Sequence, residues 1–159
     1  MPCKIIIGLI SDTHGLLRPE ALDVLRGSDV IVHAGDIGDP EIVAELARLA
    51  PVSAVRGNVD KGTWAQSIPE TKVLEVGGAV LYVLHNIEDL DLDPAAAGFH
   101  AVVSGHSHQP RIRWKDGVLL VNPGSAGPRR FSLPISVGRL LVDVGKVSVD
   151  LIEIELKSR

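Results

Sequence analysis

Cysteine is almost absent from this chain of 159 residues, which contains only Cys3. A single thiol forms no disulfide within the chain and supplies no zinc knuckle, because structural zinc sites need several protein ligands. Its place at the start of an apolar stretch favours a small buried side chain. The fold must therefore be stabilised by its hydrophobic core.

Positive charge, aromatic residues and long apolar runs are scarce as well. The formal net charge is −4, which argues against a broad electrostatic grip on nucleic acid. Aromatic residues make up 3% of the chain, so aliphatic side chains must fill the interior. The N-terminus lacks the features of a signal peptide, and no apolar run is long enough to span a membrane. These absences predict one cytoplasmic domain over residues 1–159 with no membrane partner.

Apolar runs in the first part of the chain alternate with helical patterns. The predicted strands are Cys3–Ile10, Val30–Val32 and Val52–Val55, and the predicted helices are Pro19–Arg26 and Glu41–Ala50. Asp39 and Pro40 provide an N-cap and a first-turn proline for the second helix. Such alternation predicts a parallel sheet joined by right-handed crossovers.

The rest of the chain shows hairpin patterns instead. Turns at Gly77-Gly78 and Asp116-Gly117 each join two predicted strands. A short alanine-rich helix is predicted from Asp93-Pro94. The predicted strands are 71–76, 79–84, 101–103, 111–115, 118–121, 135–142 and 146–154. The sequence thus predicts an α/β fold with two mixed sheets face to face and helices outside.

Seven polar side chains follow the carboxyl ends of predicted strands. They are Asp12, His14, Asp36, Asn58, His85, His106 and His108. In open α/β sheets these strand ends meet at one edge, where ligand sites form. Seven nitrogen and oxygen donors exceed the needs of one metal ion and fit two ions that share a bridging carboxylate.

The charge of such a site indicates its substrate. Two divalent ions bring about four positive charges, while two aspartates and a bridging hydroxide remove about three. The site stays cationic by roughly one unit, which suits an anionic phosphate ester. We therefore expect a phosphate-ester small molecule or a nucleotide as the substrate.

The order and spacing of these motifs resemble the calcineurin-like metallophosphoesterases, and more narrowly their small single-domain prokaryotic phosphodiesterases. The motifs are Asp-x-His at Asp12 and His14, Gly-Asp at Asp36, Gly-Asn-x-Asp at Asn58 and Asp60, the strand-end His85, Gly-His-Ser-His at His106 and His108, and Asn-Pro-Gly-Ser at 122–125. The resemblance implies a two-sheet αββα sandwich. It also implies hydrolysis of a phosphodiester by a hydroxide that bridges two metal ions.

The resemblance also implies a role for each candidate ligand. Asp12, His14 and His108 would bind one metal ion, Asn58, His85 and His106 would bind the other, and Asp36 would bridge the two. No catalytic side chain is expected beyond the bridging hydroxide. Within the superfamily manganese, iron, nickel, magnesium and zinc are all used, and we expect manganese here.

Two positions depart from the family pattern. Val59 stands where many members have a histidine that protonates the leaving group, and such help is typically worth about 10²–10⁴-fold in rate. The small phosphodiesterases also lack this histidine, so Val59 favours a phosphodiesterase over an efficient monoesterase. Asn86 replaces the common glycine after His85, and asparagine tolerates unusual backbone angles well enough to preserve ligation.

Three further polar residues are predicted to support the site without binding metal. His33 is expected to be a hydrogen-bond partner near Asp36. Asp60 either orients a ligand or caps its loop, and Asn122 shapes a turn near the site.

An alternative function is a catalytically weak metal-binding scaffold for protein contacts. The retromer contains a subunit of this fold that is used in this way and has lost several ligand positions. This chain retains all seven, which favours the enzyme. Its high aliphatic content leaves room for a homo-oligomer interface.

Overall fold

The computed structural model describes residues 4–130 and 132–156, which form ten β-strands and two α-helices. Cys3 lies outside the described residues, so the prediction that it is buried is not tested. The strands are β1 (Ile5–Ile10), β2 (Val30–His33), β3 (Val52–Ala54), β4 (Thr71–Val76), β5 (Ala79–Leu84), β6 (Ala101–Val103), β7 (Arg111–Lys115), β8 (Val118–Asn122), β9 (Ser136–Asp143) and β10 (Lys146–Glu153). The helices are α1 (Pro19–Leu25) and α2 (Pro40–Ala47).

The first sheet has the order β10-β9-β1-β2-β3. Its strands β1, β2 and β3 are parallel, as the alternation of strands and helices predicts. The C-terminal hairpin of β9 and β10 adds to β1 in antiparallel fashion, which makes the sheet mixed. The carboxyl ends of all three parallel strands consequently lie at one edge.

The second sheet has the order β4-β5-β6-β8-β7. Strands β5, β6 and β8 are parallel, and β4 and β7 pair with them as the outer arms of the two predicted hairpins. The turn residues Gly77, Gly78, Asp116 and Gly117 all have positive φ, as tight two-residue hairpins require.

The two sheets pack face to face through aliphatic side chains. The main core cluster includes Ile7, Leu9, Val32, Leu81, Val83, Val103, Leu119, Val121 and Leu140. Helices α1 and α2 cover the outer face of the first sheet with Ala21, Leu25, Ile42 and Leu46. The structure confirms the predicted α/β sandwich of two mixed sheets. None of the helices in the described residues is long and apolar enough to cross a membrane.

The outer face of the second sheet is covered by the segment between β5 and β6. Leu90, Leu92 and Phe99 from this segment pack on Tyr82 and Val102. The predicted alanine-rich helix in this segment is wrong, because the chain makes only one turn here. The Ala97 N–H donates to the Asp93 carbonyl, but Gly98 then adopts φ +85° and ends the turn.

Candidate metal centre

The two sheets bring all seven predicted ligands to one edge of the sandwich. Strand β1 is followed by Asp12 and His14, β2 by Asp36, β3 by Asn58, β5 by His85, and β6 by His106 and His108. Backbone hydrogen bonds join these loops directly. The Asp12 N–H donates to the Gly35 carbonyl at 2.9 Å, and the Gly105 N–H donates to the His85 carbonyl at 2.8 Å. The site is thus assembled from both sheets.

A first cluster consists of Asp12, His14 and His108, whose potential ligand atoms lie within 4.8 Å of one another. Asp12 Oδ1 lies 3.4 Å from His108 Nε2 and 3.8 Å from His14 Nε2. The two imidazole Nε2 atoms lie 3.3 Å apart. These three atoms surround a space that one small cation can occupy.

A second cluster consists of Asp36, His85 and His106. His85 Nε2 lies 3.2 Å from Asp36 Oδ2 and 3.3 Å from His106 Nδ1. One end of the Asn58 amide lies 3.1 Å from His85 Nε2 and 3.3 Å from both Asp36 carboxylate oxygens. As nitrogen this end donates to the Asp36 oxygens, and as oxygen it faces these acceptors, an arrangement that a cation would make favourable.

The Asp36 carboxylate lies between the two clusters. Its Oδ2 atom is 3.2 Å from His85 Nε2 in the second cluster and 3.6 Å from His14 Nε2 in the first. Asp12 Oδ1 likewise lies 3.9 Å from His85 Nε2. The clusters therefore form one continuous site with Asp36 at its centre.

The environment of the buried Asp12 carboxylate tests whether these residues fit a metal ion. Asp12 Oδ1 is buried and has no hydrogen-bond partner, although three imidazole Nε2 atoms surround it at 3.4–3.9 Å. Burial raises the pKa of Asp12, against the opposing effects of the Ser11 hydroxyl and the nearby histidines. A buried oxygen without a partner is costly unless a cation compensates it. The donor set therefore fits divalent metal ions.

Backbone strain is concentrated at the same residues. Five of the candidate ligands have a left-handed φ, namely Asp12 (54°), His14 (47°), Asp36 (54°), His106 (72°) and His108 (64°). The only other non-glycine residues with positive φ in the described ranges are Asp116 and Val144, which lie in hairpin turns. Such conformations cost of order 1–3 kcal/mol each and persist where the surrounding structure enforces them, typically at functional sites.

Comparison with known proteins identifies the family of this chain. Residues 5–145 match the family model of the calcineurin-like phosphoesterase superfamily domain. The chain belongs to the calcineurin-like phosphoesterase superfamily. A probable metallophosphoesterase of Methanothermobacter thermautotrophicus is 35% identical to it, over 92% of this chain and 91% of that protein. A phosphodiesterase of Methanocaldococcus jannaschii is 26% identical, over 74% of this chain and 82% of the relative.

A solved structure with the same fold is vacuolar protein sorting 29 of Cryptosporidium parvum. It superimposes with a TM-score of 0.75 at 20% identity, over 96% of this chain and 99% of that one. This likeness confirms the two-sheet sandwich. The superfamily membership assigns the chain to metal-binding phosphoesterases, which are hydrolases.

Hydrogen bonds fix the orientation of the His85 ring in the second cluster. The His85 Nδ1 atom lies 2.8 Å from the Ala34 carbonyl, so Nδ1 carries a proton and Nε2 faces the site. Burial lowers the pKa of His85, but the hydrogen bonds to Asp36 and to the Ala34 carbonyl outweigh it and raise the pKa. Burial would raise the pKa of Asp36, yet hydrogen bonds from His85 and the Val59 N–H lower it to about 2. The second cluster is therefore held together by its own hydrogen bonds.

His33 lies beneath the site and belongs to neither cluster. Its Nδ1 accepts from the Gly35 N–H at 3.1 Å, and its Nε2 lies 3.0 Å from Thr13 Oγ1, which itself donates to the Ile37 carbonyl. Burial lowers the pKa of His33 to about 3, so the ring is neutral. His33 thus links the loops that carry the two aspartates.

Asp60 is buried and joins the loop of Asp36 to the loop of Asn58. Its Oδ2 accepts from the Gly57 N–H at 2.8 Å and from the Ile37 N–H at 3.1 Å, and its Oδ1 accepts from the Gly38 N–H at 2.9 Å. All three donors lie beside Asp36 or Asn58. Of the two roles that the sequence leaves open, this geometry favours orientation of ligand loops.

The loop with His106 and His108 is supported by Asn122. The Asn122 side-chain nitrogen donates to the Gly105 carbonyl at 2.9 Å and to the Ser107 hydroxyl at 3.1 Å. Gly105 packs directly on Ser11 and Asp12, since a Cβ at this position would overlap their side chains. Any larger residue at 105 would displace the side chains of Ser11 and Asp12.

Sequence reasoning missed Ser11, and it missed the contact that Ser125, the last residue of the Asn-Pro-Gly-Ser motif, makes with the first cluster. The Ser11 hydroxyl donates to Asp12 Oδ2 at 2.6 Å, and the Ser125 hydroxyl donates to the Asp12 carbonyl at 2.9 Å. Ser11 lies directly before the Asp-x-His motif, which is the only sequence signal that points to it. The contact of Ser125 joins residues 113 positions apart and depends on the fold.

Proposed function

We propose that this protein is a phosphodiesterase that hydrolyses phosphate esters with two divalent metal ions. The observation that carries the proposal is the position of the Asp36 carboxylate between two clusters of potential ligand atoms. A single metal site would need only one of these clusters. Asp12 Oδ1 is buried and has no hydrogen-bond partner, which supports a cation at the first cluster.

Each side chain has a proposed position around the metal pair. Asp12, His14 and His108 hold one ion, Asn58, His85 and His106 hold the other, and Asp36 bridges them. We expect manganese in both positions. When bound, the two ions would lower the pKa of a water molecule to about 7 and neutralise the phosphate oxygens.

Val59 supports a diester rather than a monoester substrate. Its backbone N–H donates to Asp36 Oδ1 at 3.1 Å, and its aliphatic side chain carries no proton to donate. A monoester with a poor leaving group depends more strongly on a general acid at this position. One curated relative is itself a phosphodiesterase.

Turnover measurements after metal removal test the proposal. The protein is treated with a chelator and then supplied with manganese, iron, nickel, magnesium or zinc, one at a time. Hydrolysis of bis(p-nitrophenyl) phosphate and of p-nitrophenyl phosphate is followed by absorbance. We expect the chelated protein to be inactive, the diester to be hydrolysed faster than the monoester, and two metal ions to bind per chain.

Tight binding of two metal ions without turnover of either ester would contradict the proposal and favour the scaffold. Binding of only one ion per chain would contradict the role of Asp36 as a bridge. Faster hydrolysis of the monoester would retain the metal pair but overturn the assignment as a phosphodiesterase.

A further inference from the structure

A cleft with a volume of about 750 Å³ opens beside the second cluster. Among the candidate ligands it touches only Asn58, His85 and His106. Tyr82 and Leu84 contribute to its lining from the outer face of β5. Pockets of 300–1,000 Å³ bind small organic ligands, so the cleft can accommodate a substituent much larger than the phosphate itself.

The charged residues of the cleft come from two segments. The chain after β3 and before β4 contributes Arg56, Asp60, Lys61 and Glu70, and the chain after β5 contributes Asp89 and Asp91. Asp60 is buried and accepts from three backbone N–H groups, whereas the other five are at least partly exposed to solvent. Both segments also border the second cluster, because Arg56 precedes Asn58 and the other segment begins at His85.

These charges do not cancel. Arg56 Nη2 and Glu70 Oε1 lie 3.2 Å apart and neutralise each other. Lys61 is the remaining cation of the lining, against the exposed carboxylates of Asp89 and Asp91, so the exposed groups carry an excess of one negative charge and the buried Asp60 adds a second. The segment with Asp89 is fixed just after His85, since Asn86 Oδ1 accepts from the Glu88 N–H at 3.1 Å. Within residues 4–130 and 132–156, neither Asp89 nor Asp91 forms an ion pair.

We propose that this cleft receives one ester group of the diester substrate, and that Asp89 and Asp91 select a neutral or positively charged alcohol over an anionic one. This proposal rests on the proposed phosphodiesterase function. The anionic phosphate would lie at the metal pair, and the group that extends from it would lie against the carboxylates. An alcohol with hydroxyl or ammonium groups gains favourable contacts there, whereas a further phosphate or carboxylate is repelled.

Two series of chromogenic diesters test this selection in the metal-loaded protein. In the first series nitrophenol is the leaving group and the other alcohol is choline, propanol or 3-hydroxypropionate. In the second series the other alcohol is methanol and the nitrophenol itself carries a trimethylammonium group, no charged group or a carboxylate. The series whose variable group occupies the cleft is expected to show KM rising from cation to neutral to anion.

The double substitution Asp89→Asn and Asp91→Asn is expected to weaken this dependence of KM on the charge of the ester. The ratio of KM between the anionic and the cationic ester should fall about three- to tenfold at low ionic strength, and the difference should shrink as salt is added. The control is Asp150→Asn, which removes one negative charge from an exposed position on β10. It should leave the ratio unchanged, and melting temperatures verify that both proteins fold.

The outcomes separate the two proposals. If no diester is hydrolysed with any divalent metal, the proposed function fails. If the diesters are hydrolysed but neither series shows a charge order, only the selection by the cleft is wrong. A charge order that persists unchanged in the Asp89→Asn, Asp91→Asn protein, or that Asp150→Asn alters equally, also overturns it.

Discussion

The two clusters of the candidate centre differ in how their aspartates are satisfied. Asp36 is bonded to His85 and to the Val59 N–H, and these contacts lower its pKa to about 2. Asp12 is more deeply buried, its Oδ1 has no partner, and burial raises its pKa. The second cluster is therefore preorganised by hydrogen bonds, whereas the first depends on a cation to compensate a buried charge.

Because of this difference, a bound cation should affect the two clusters differently. A cation at the first cluster replaces an unfavourable arrangement with a favourable one. A cation at the second cluster must compete with hydrogen bonds that already exist. Substitutions at the two aspartates and at the residues that hold them test this contrast.

Removal of the central carboxylate should have the largest effect. In Asp36→Asn one charge between the clusters is lost, so we expect the second metal ion to be lost and turnover to fall by more than the roughly 100-fold that a supporting residue is worth. Metal content per chain and diester turnover measure this. The control is Asp23→Asn on α1, far from the site in an exposed pair with Arg26. Retention of two tightly bound ions in Asp36→Asn would contradict the bridging role.

Asp60→Asn should loosen the second cluster selectively. An amide retains one acceptor oxygen but turns a donor toward one of the backbone N–H groups of Ile37, Gly38 or Gly57. We expect metal affinity to fall about 10–100-fold for one of the two ions. Stepwise binding by calorimetry and faster hydrogen exchange at these three amides would reveal it.

Ser125→Ala is the matched variant for the first cluster, because Ser125 donates to the Asp12 carbonyl. Ser125→Ala should weaken the binding of the ion at the first cluster. If both variants weaken the same binding step equally, the two clusters do not have separate supports.

The two aspartates should affect the stability of the metal-free protein in opposite directions. The pKa of Asp36 in the folded protein lies below its ordinary value of 3.8, so its contribution is present above pH 3.8 and is lost as the pH falls toward 2. Asp36→Asn should therefore lower the free energy of unfolding at neutral pH by roughly 2 kcal/mol.

The pKa of Asp12 is instead raised above 3.8, so the folded state binds this proton more tightly than the unfolded state does. Stability therefore declines as the pH rises from 3.8 to the pKa of Asp12 in the folded protein. Asp12→Asn should stabilise the metal-free protein at neutral pH while abolishing metal binding at the first cluster. Urea unfolding with chelator present measures both variants. Destabilisation by both at neutral pH would remove the contrast between the clusters.

Val59→His should have the smallest effect. A histidine here would supply the missing proton donor, but without surrounding groups to orient it we expect only about a tenfold gain of the 10²–10⁴ that a positioned acid provides. The gain should appear for esters with poor leaving groups and not for nitrophenyl esters. An equal gain for both ester types would show that the substitution acts through binding.

Much of the fold follows from patterns that act locally. The alternation of apolar runs and helices predicts the parallel strands β1 to β3, and the Gly77-Gly78 and Asp116-Gly117 turns predict both hairpins of the second sheet. The helix predicted from Asp93-Pro94 fails because Gly98 ends it after one turn. Alanine content favours a helix, but a single turn is too short for propensity to decide.

Which side chains meet follows from motif order and strand ends, which bring Asp12, Asp36 and His106 to one edge. How these side chains are held depends on tertiary contacts. The three amides around Asp60, the support of Asp12 by Ser125 and the charge of the cleft each join segments that are distant in the chain. Such contacts depend on the packing of two sheets, which no local pattern specifies.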